Sequence, residues 1–381
     1  MRRITGAFLS VVMVGSGMGA LMGAGTANAW PSRVFVSPTG SSRGADVSCR
    51  TAGFSSINRA ISKVATHGTV IVCPGTYHTQ VVVTRPMSLI GRDAIINAAG
   101  QKPIIRKLPG GSGIVVLKTR DVQIMGFRIN RAGFDAILVA LSTHVLVSHN
   151  VLKHNGDVGV DFNGTSFSRA SHNVSKFNHG GGFLVADDVG STEHDIISWN
   201  VASHNPGGCG IIIAGHSKFG VRDNWIAHNW LVENGTLPKS SGAGVVIATE
   251  VPGETAGNTV TGNLIFGNGL AGVTIHAHLP GQNLNGNRIT RNVIGTTNTL
   301  GDPIDLATSP SSTKNVAVPD TRTTGILVGS ASSIHVLISG NRIARNHFGI
   351  FLEGVGRPVD ATLHGNQFHR VFKPVKRVIV R

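Results

Sequence analysis

The chain sets two asparagines five residues apart again and again. The pairs are Asn150/Asn155, Asn173/Asn178, Asn200/Asn205, Asn229/Asn234, Asn263/Asn268, Asn287/Asn292 and Asn341/Asn346, and Asn366 opens a further copy. Successive starts lie 23, 27, 29, 34, 24, 54 and 25 residues apart, so the baseline is about 24 and the excess is insertion. A period of this length signals a solenoid, in which each repeat buries its apolar face only against its neighbours.

Each copy carries three short apolar-alternating runs. One precedes the first Asn, as in "IHVLISGN" (334–341); one lies between the pair, as in "NRIARN" (341–346); one follows, as in "GVTI" (272–275). Period-two alternation with β-branched residues reads as strand, and Asn and Gly supply the left-handed backbone of tight corners. Three strands per turn, stacked ~4.8 Å apart, give parallel sheets with inward aliphatic ladders. Stacked Asn side chains bond one another and the corner backbone, so the pairs are read as structural. Upstream, "GTVIVCPGTY" (68–77), "VVVTRPMSLIG" (81–91) and "VQIMGFRI" (122–129) look like less regular coils. Phe54, Ile57, Ile61 and Val64 recur at helical spacing, and a helix there would cover the open end of the solenoid. The expected fold is all-β: a right-handed parallel β-helix solenoid with three short strands per coil and an N-terminal capping helix. Residues 30–67 form the N-terminal segment and cap, and 68–381 form the β-helix, with an insertion loop at 293–324.

The opening "FSSINRAISKVATHGTVIVCPGTYHTQVVVTRPMSLIG" and the Asn-paired coils resemble the secreted right-handed parallel β-helix repeat proteins of the pectin lyase-like superfamily, in particular the NosD-like branch. The resemblance extends over nearly all of the chain beyond residue 29. It implies the fold and leaves the reaction open.

Arg2 and Arg3 precede an apolar run from Ala7 to about Leu21, and Ala27-Asn28-Ala29 has the small-x-small pattern of a cleavage site. Residues 1–29 therefore read as a signal peptide, which leaves 381 − 29 = 352 residues and a secreted, extracellular or envelope-associated protein. Nothing downstream approaches the ~20 apolar residues of a membrane span. In an exported chain, Cys49 and Cys73 on either side of the helix-like segment read as a disulfide. Cys209 falls at an inward strand position. The formal net charge is +15, or +13 without Arg2 and Arg3, and favours an acidic partner such as a uronic-acid polysaccharide or cell-surface glycan. No basic run is interleaved with aromatics, which argues against nucleic acid.

The runs after the second Asn align as "VGVDFNGT" (158–165), "GFLVADDV" (182–189), "CGIIIAGH" (209–216), "AGVVIATE" (243–250), "AGVTIHAH" (271–278), "TGILVGSA" (324–331) and "FGIFLEGV" (348–355). First, third and fifth positions point inward. The fourth gives an outer apolar stripe, Val185, Ile212, Val246, Leu327 and Phe351, of the kind covered either by a long loop or by a second copy of the chain in a homo-oligomer. Positions six to eight leave the core and carry Asp187 and Asp188, then His216, Glu250, His276 and His278. Such a row along an elongated face suits a polymer. Asp188, His216, Glu250 and His278 are the candidate catalytic residues, and Asp187, Lys218, Arg222 and His276 the candidate substrate-binding ones. Carboxylates and imidazoles perform acid–base chemistry at a sugar. Elimination from a uronate needs a base for the C5 proton, a neutraliser for the adjacent carboxylate and a proton donor. His216 or His278 suits base or acid, and Arg222 or Lys218 the neutraliser. Asp188 with Glu250 could instead hold a divalent cation such as calcium.

Known motifs match in part. Asp187-Asp188 with Gly215-His216 is similar to part of the polygalacturonase pattern, but Ser217 stands where a Gly belongs. Asp302-Pro303-Ile304-Asp305 resembles the Asp-Pro-His-Asp motif of mannuronan epimerases, with Ile304 in place of His. His149, His172 and His228 each precede an Asn, with Trp199 between. No Met or Cys accompanies them to favour copper, so they read as stacked exposed rings. The expected function is action on acidic polysaccharide by β-elimination or epimerisation of uronate residues. The alternative is a non-catalytic β-helix that binds glycan or serves as an envelope scaffold.

Overall fold

The computed structural model describes residues 30–41, 46–101, 111–237, 240–277, 279–301 and 322–380. The expected signal peptide, His278 and the 302–305 motif lie outside them. Among the described residues, three long parallel sheets hold 12, 11 and 11 strands. The chain visits them in turn and repeats. One coil comprises Thr143–Ser148 in the first sheet, Val151–Lys153 in the second and Val158–Asn163 in the third, and the next comprises Arg169–Ser171, Val174–Lys176 and Gly181–Ala186. This is a right-handed parallel β-helix.

Register follows the pattern of apolar residues. In the third sheet Val139, Phe162, Val185, Ile213, Ile247 and Ile275 pair one above another, and all are fully buried. Burying each such side chain contributes about 1.5–3 kcal/mol relative to leaving it in water. Val185 is therefore inward, contrary to the expectation from sequence, and Leu184 takes the outward place between Asp161 and Ile212. Gly180–Gly182 open this run and offer no side chain to fix its phase. Cys209 pairs with Gly181 at the strand entrance and is a half-buried free thiol outside the aliphatic core. Its sulfur accepts the Ala243 N–H at 3.2 Å.

The asparagines form continuous buried ladders. From Asn150 through Asn173, Asn200, Asn229, Asn263, Asn292 and Asn341 to Asn366, each side-chain amide donates to the next carbonyl at 2.9–3.1 Å. A second ladder runs Asn155, Asn178, Asn205, Asn234, Asn268. Asn287 and Asn292 are not the pair their spacing suggested. Asn292 belongs to the first ladder, and Thr297 stands in the second, donating its N–H to Asn346. Asn287 ends a third column, Asp195, Asn224, Asn258, Asn287. The residue before each Asn of the two ladders adopts a left-handed backbone, and aromatic or imidazole rings at some of these places stack on their neighbours. His149 and His172 lie 5.0 Å apart and nearly parallel, and Trp199 and His228 lie 4.4 Å apart.

At the N-terminal end, strand Arg33–Val36 already pairs with Thr69–Val72 in the first sheet, so residues 30–67 contribute a rung as well as a helix. That helix, Ile57–Ile61, starts at Ser56, whose hydroxyl accepts the Arg59 N–H at 3.4 Å, and buries Ile57, Ala60 and Ile61 in the core. Asn58 donates to Gln80 O at 2.8 Å and accepts from Val82 N at 3.0 Å, occupying backbone groups of the third sheet's first strand. Cys49 and Cys73 are disulfide-bonded, their Cα atoms 5.5 Å apart. Among the described residues no helix is long and apolar enough to cross a membrane.

Candidate active site on the third sheet

The turn leaving strand Gly181–Ala186 carries two adjacent aspartates with different surroundings. Asp187 is fully buried. Its carboxylate accepts the backbone N–H groups of His216 at 2.7 Å, Ser217 at 2.9 Å and Gly220 at 2.8 Å, and the Ser217 hydroxyl at 2.9 Å. It staples the turn of the next coil, so its oxygens are committed to the protein and do not meet a substrate.

Asp188 points outward. Its Oδ1 lies 3.1 Å from His216 Nδ1, and its Oδ2 accepts the Asn163 amide at 2.7 Å. Asn163 in turn accepts the Val189 N–H at 3.1 Å. Three consecutive coils thus converge on one carboxylate. Burial acts to raise the pKa of Asp188, but the His216 hydrogen bond and charge and the Asn163 bond outweigh it, and the pKa falls. Burial acts to lower the His216 pKa, but the hydrogen bond and charge of Asp188, then the charges of Glu250 and Asp187, hold it up at about 9. His216 is an imidazolium at neutral pH, flanked by carboxylates.

The other candidates separate. Glu250, half-buried at the equivalent place one coil on, donates its N–H to Gly215 O at 2.9 Å and acts on His216 through its charge. Lys218 is exposed on the His216 turn. His276 is in register with Ala248 and Gly329, and burial drives its pKa down to about 4, so its ring is neutral. Arg222 is turned away. It lies on a short side sheet of Thr192–Glu193, Val221–Arg222 and Thr255–Ala256, where it pairs with Glu193 at 3.0 Å and Glu254 at 3.2 Å. Those pairs already neutralise it.

Two carboxyls that sequence reasoning passed over belong to this face. Asp161 pairs in register with Leu184 on the outward side, is 5% exposed, and has Oδ1 without a partner. Burial and then the Asp188 charge push its pKa well above the usual range. Asp135, one coil earlier, is fully buried with Oδ2 unpartnered, and burial and then the Asp161 charge push its pKa up strongly. The signal for Asp161 was present: an acidic residue at an outward position between the inward Val160 and Phe162.

A divalent cation on Asp188 and Glu250 does not fit these residues. Both Asp188 oxygens are engaged, one by a cationic ring. Among the described residues no group of three or more His, Cys, Asp or Glu is placed to hold a metal.

A coil of parallel sheets with an ionisable row at one strand exit defines a class, the parallel β-helix proteins. The family described as right handed beta helix region matches residues 112–294 and, overlapping them, 192–373, and the chain belongs to it. No curated protein sequence matches significantly. Among solved structures, the chain is similar to the A-module of mannuronan C-5 epimerase AlgE4 of Azotobacter vinelandii, with TM-score 0.53, 15% identity, and 81% of this chain and 88% of that one covered. It is also similar to an alginate lyase from Paenibacillus sp. str. FPU-7, with TM-score 0.52, 12% identity, and 85% and 96% covered. At these identities the likeness is one of fold.

Proposed function

We propose that the protein acts on an acidic polysaccharide outside the cell, by proton transfer at C5 of a uronate residue. The observation that carries this reading is the Asp188–His216 pair, 3.1 Å apart, with the Glu250 charge beside it on a strand exit. The disulfide and the net charge of +15 agree with an exported protein that meets an anionic polymer. Structures of the same fold include an alginate lyase and a mannuronan epimerase.

The roles follow from the protonation states. The His216 imidazolium neutralises the uronate carboxylate, which makes the C5 proton more acidic, and it is the proton donor of the row. Asp188 holds the ring in place and in its charged form. Glu250 is the base. Lys218 supplies the second positive charge that Arg222 does not. In elimination the C5–H bond breaks and its proton passes to Glu250. The electron pair forms the C4–C5 double bond, the C4–O bond breaks, and the leaving oxygen takes the proton of His216. In epimerisation the C4–O bond stays intact, and C5 takes the His216 proton on the face opposite to the one Glu250 deprotonated. The test is incubation with a panel of polyuronates in deuterated water. A lyase gives the ultraviolet absorbance of an unsaturated uronate, and an epimerase incorporates deuterium at C5. Neither signal from any member of the panel rejects the reading.

Glycan binding without turnover is the second reading. It is favoured by the withdrawal of Asp187 into the turn and of Arg222 into its ion pairs, which leave a smaller row than the sequence suggested.

A further inference from the structure

Three outward columns meet at the corner between the first and second sheets. In the first sheet Arg169, Ile196, Trp225, Thr259 and Arg288 stand one above another. At the corner stand His172, Trp199, His228 and Arg291, each just before a ladder asparagine. In the second sheet Val201, Trp230, Leu264, Val293 and Arg342 follow in register. Five coil steps of ~4.8 Å, from Arg169 to Arg342, make this face roughly 24 Å long. Three of the chain's four tryptophans lie on it, between 48% and 57% exposed, and Leu264 and Val293 are exposed beside them. The core does not need these side chains, because Ile226, Leu231 and Ile265 already close it beneath them. A cluster of large apolar groups left in water marks an interaction surface.

The charge on this face has one sign. Arg169 at one end and Arg288, Arg291 and Arg342 at the other are exposed, and none is paired with a carboxylate among the described residues. No Asp or Glu stands in the three columns over these coils. The partner is therefore anionic as well as apolar. The rings narrow it further. His149 lies on His172 and Trp199 on His228, face to face along the helix axis, so the corner presents ring edges outward. A sugar stacks on an open aromatic face, and these faces are turned to one another. Symmetric pairing with a second copy brings the arginines against arginines. A bilayer with anionic headgroups meets both requirements, because indoles settle at the headgroup level and guanidinium groups bind phosphate.

We propose that this face docks on the surface of an anionic phospholipid bilayer, with Trp199, Trp225 and Trp230 at headgroup depth and the four arginines on lipid phosphates. The third sheet and its Asp188–His216 pair take no part in it, so it stands apart from the function proposed above. Each arginine near an anionic surface contributes about fivefold in affinity, and the effect weakens as salt rises.

The test is co-sedimentation with vesicles of phosphatidylcholine, alone or with about one-third phosphatidylglycerol. Residues 30–381 are used, without the apolar run at 7–21 that binds lipid by itself. In a Trp30→Phe background every remaining tryptophan lies on the face, so quenching of indole fluorescence by brominated lipid reports its contact directly. The protein should bind the phosphatidylglycerol vesicles and not the neutral ones, with quenching, and should release them as salt rises. Arg288→Gln/Arg342→Gln should weaken binding by roughly tenfold or more. Trp225→Ala/Trp230→Ala should also weaken it and remove most of the quenching. Loss of the same charge on the last strand, by Lys373→Gln/Arg377→Gln, should change affinity by less than about twofold. Circular dichroism checks that each variant is folded, and should the Trp pair fail to fold, the Arg pair decides. Absence of vesicle binding, binding without quenching, or equal loss with both charge pairs overturns the proposal. A dimer in ultracentrifugation that the Trp pair abolishes, with vesicles unbound, overturns it in favour of a second copy. Binding of soluble polygalacturonate that the Arg pair weakens, with vesicles unbound, overturns it in favour of an acidic polymer.

Discussion

Asp195 and Asn224 hold the same place on neighbouring coils, joined by Asp195 N–H to Asn224 Oδ1 at 2.9 Å, yet only Asn224 has an amide to donate onward. Asp195 instead accepts, from Ser168 N–H at 2.7 Å and from the Thr165 hydroxyl. It is a titratable member of an otherwise neutral buried column, and burial pushes its pKa up to about 7.

The folded state therefore holds the Asp195 proton more tightly than the unfolded chain does. The stability this adds is fully present at low pH and is lost as pH rises from about 4 through about 7. The full shift corresponds to roughly 4 kcal/mol at most. Asp195→Asn restores the amide and removes the titration. Denaturant unfolding at pH 7.5 should show the variant more stable than the wild type by about 1–3 kcal/mol, with the difference shrinking below pH 5. Parallel pH profiles for the two proteins would contradict the assignment.

Asn200 lies mid-ladder and 1% exposed. It accepts the Asn173 N–H at 2.9 Å and the Asn173 amide at 3.0 Å, and donates to Ala170 O at 2.9 Å and Asn229 Oδ1 at 3.1 Å. Asn200→Ala leaves those partners unsatisfied and should destabilise by about 1–3 kcal/mol, read from the urea midpoint. Activity per folded molecule should not change. A variant that folds normally but is inactive would give the ladder a chemical role.

The Cys49–Cys73 bridge closes a sequence separation of 24 residues and ties the N-terminal segment to the first full coil. Replacing both cysteines by Ser should cost about 3 kcal/mol. Cys209 should stay unlabelled in the native protein, because burial raises its thiol pKa to about 11 and leaves little thiolate. Maleimide labelling of two or more cysteines without denaturant would refute the pairing.

The coil period, the parallel sheets and the ladders were legible because each repeats, so a local error is outvoted by its neighbours. The misreadings fell where repetition fails. Val185 was placed outside because Gly180–Gly182 carry no phase. Asn287 was taken for a ladder member because the five-residue spacing also joins the third column to the first. At the site, the choice between Asp187 and Asp188 depends on which carboxylate meets the next turn's amides, and adjacent residues give no hint of that. Arg222 was misassigned because its partners, Glu193 and Glu254, come from turns of unequal length whose alignment only the side sheet reveals.

His216 is the residue whose replacement best separates chemistry from structure. It lies past the inward Ile211 and Ile213, so truncation to Ala opens no core cavity. Its backbone N–H bond to Asp187 survives the change, and its side-chain pair with Asp188 is partly exposed, worth about 1 kcal/mol or less. His216→Ala should therefore shift stability at pH 7 by no more than about 1 kcal/mol while abolishing turnover. The pH effect has the same sign as that of Asp195, in a higher window. The folded pKa is raised from 6.5 to about 9, so the wild-type contribution is fully present below about pH 6.5 and is lost as pH rises through 9. Turnover that requires the imidazolium should fall over the upper part of that window. His216→Lys, which keeps a positive charge at this position, should recover substrate binding better than Ala does. The measurements are urea unfolding and C5 exchange on one identified uronate across pH 6–10. Full turnover by the Ala variant would make the row a solvated corner, and the glycan-binding reading would take its place.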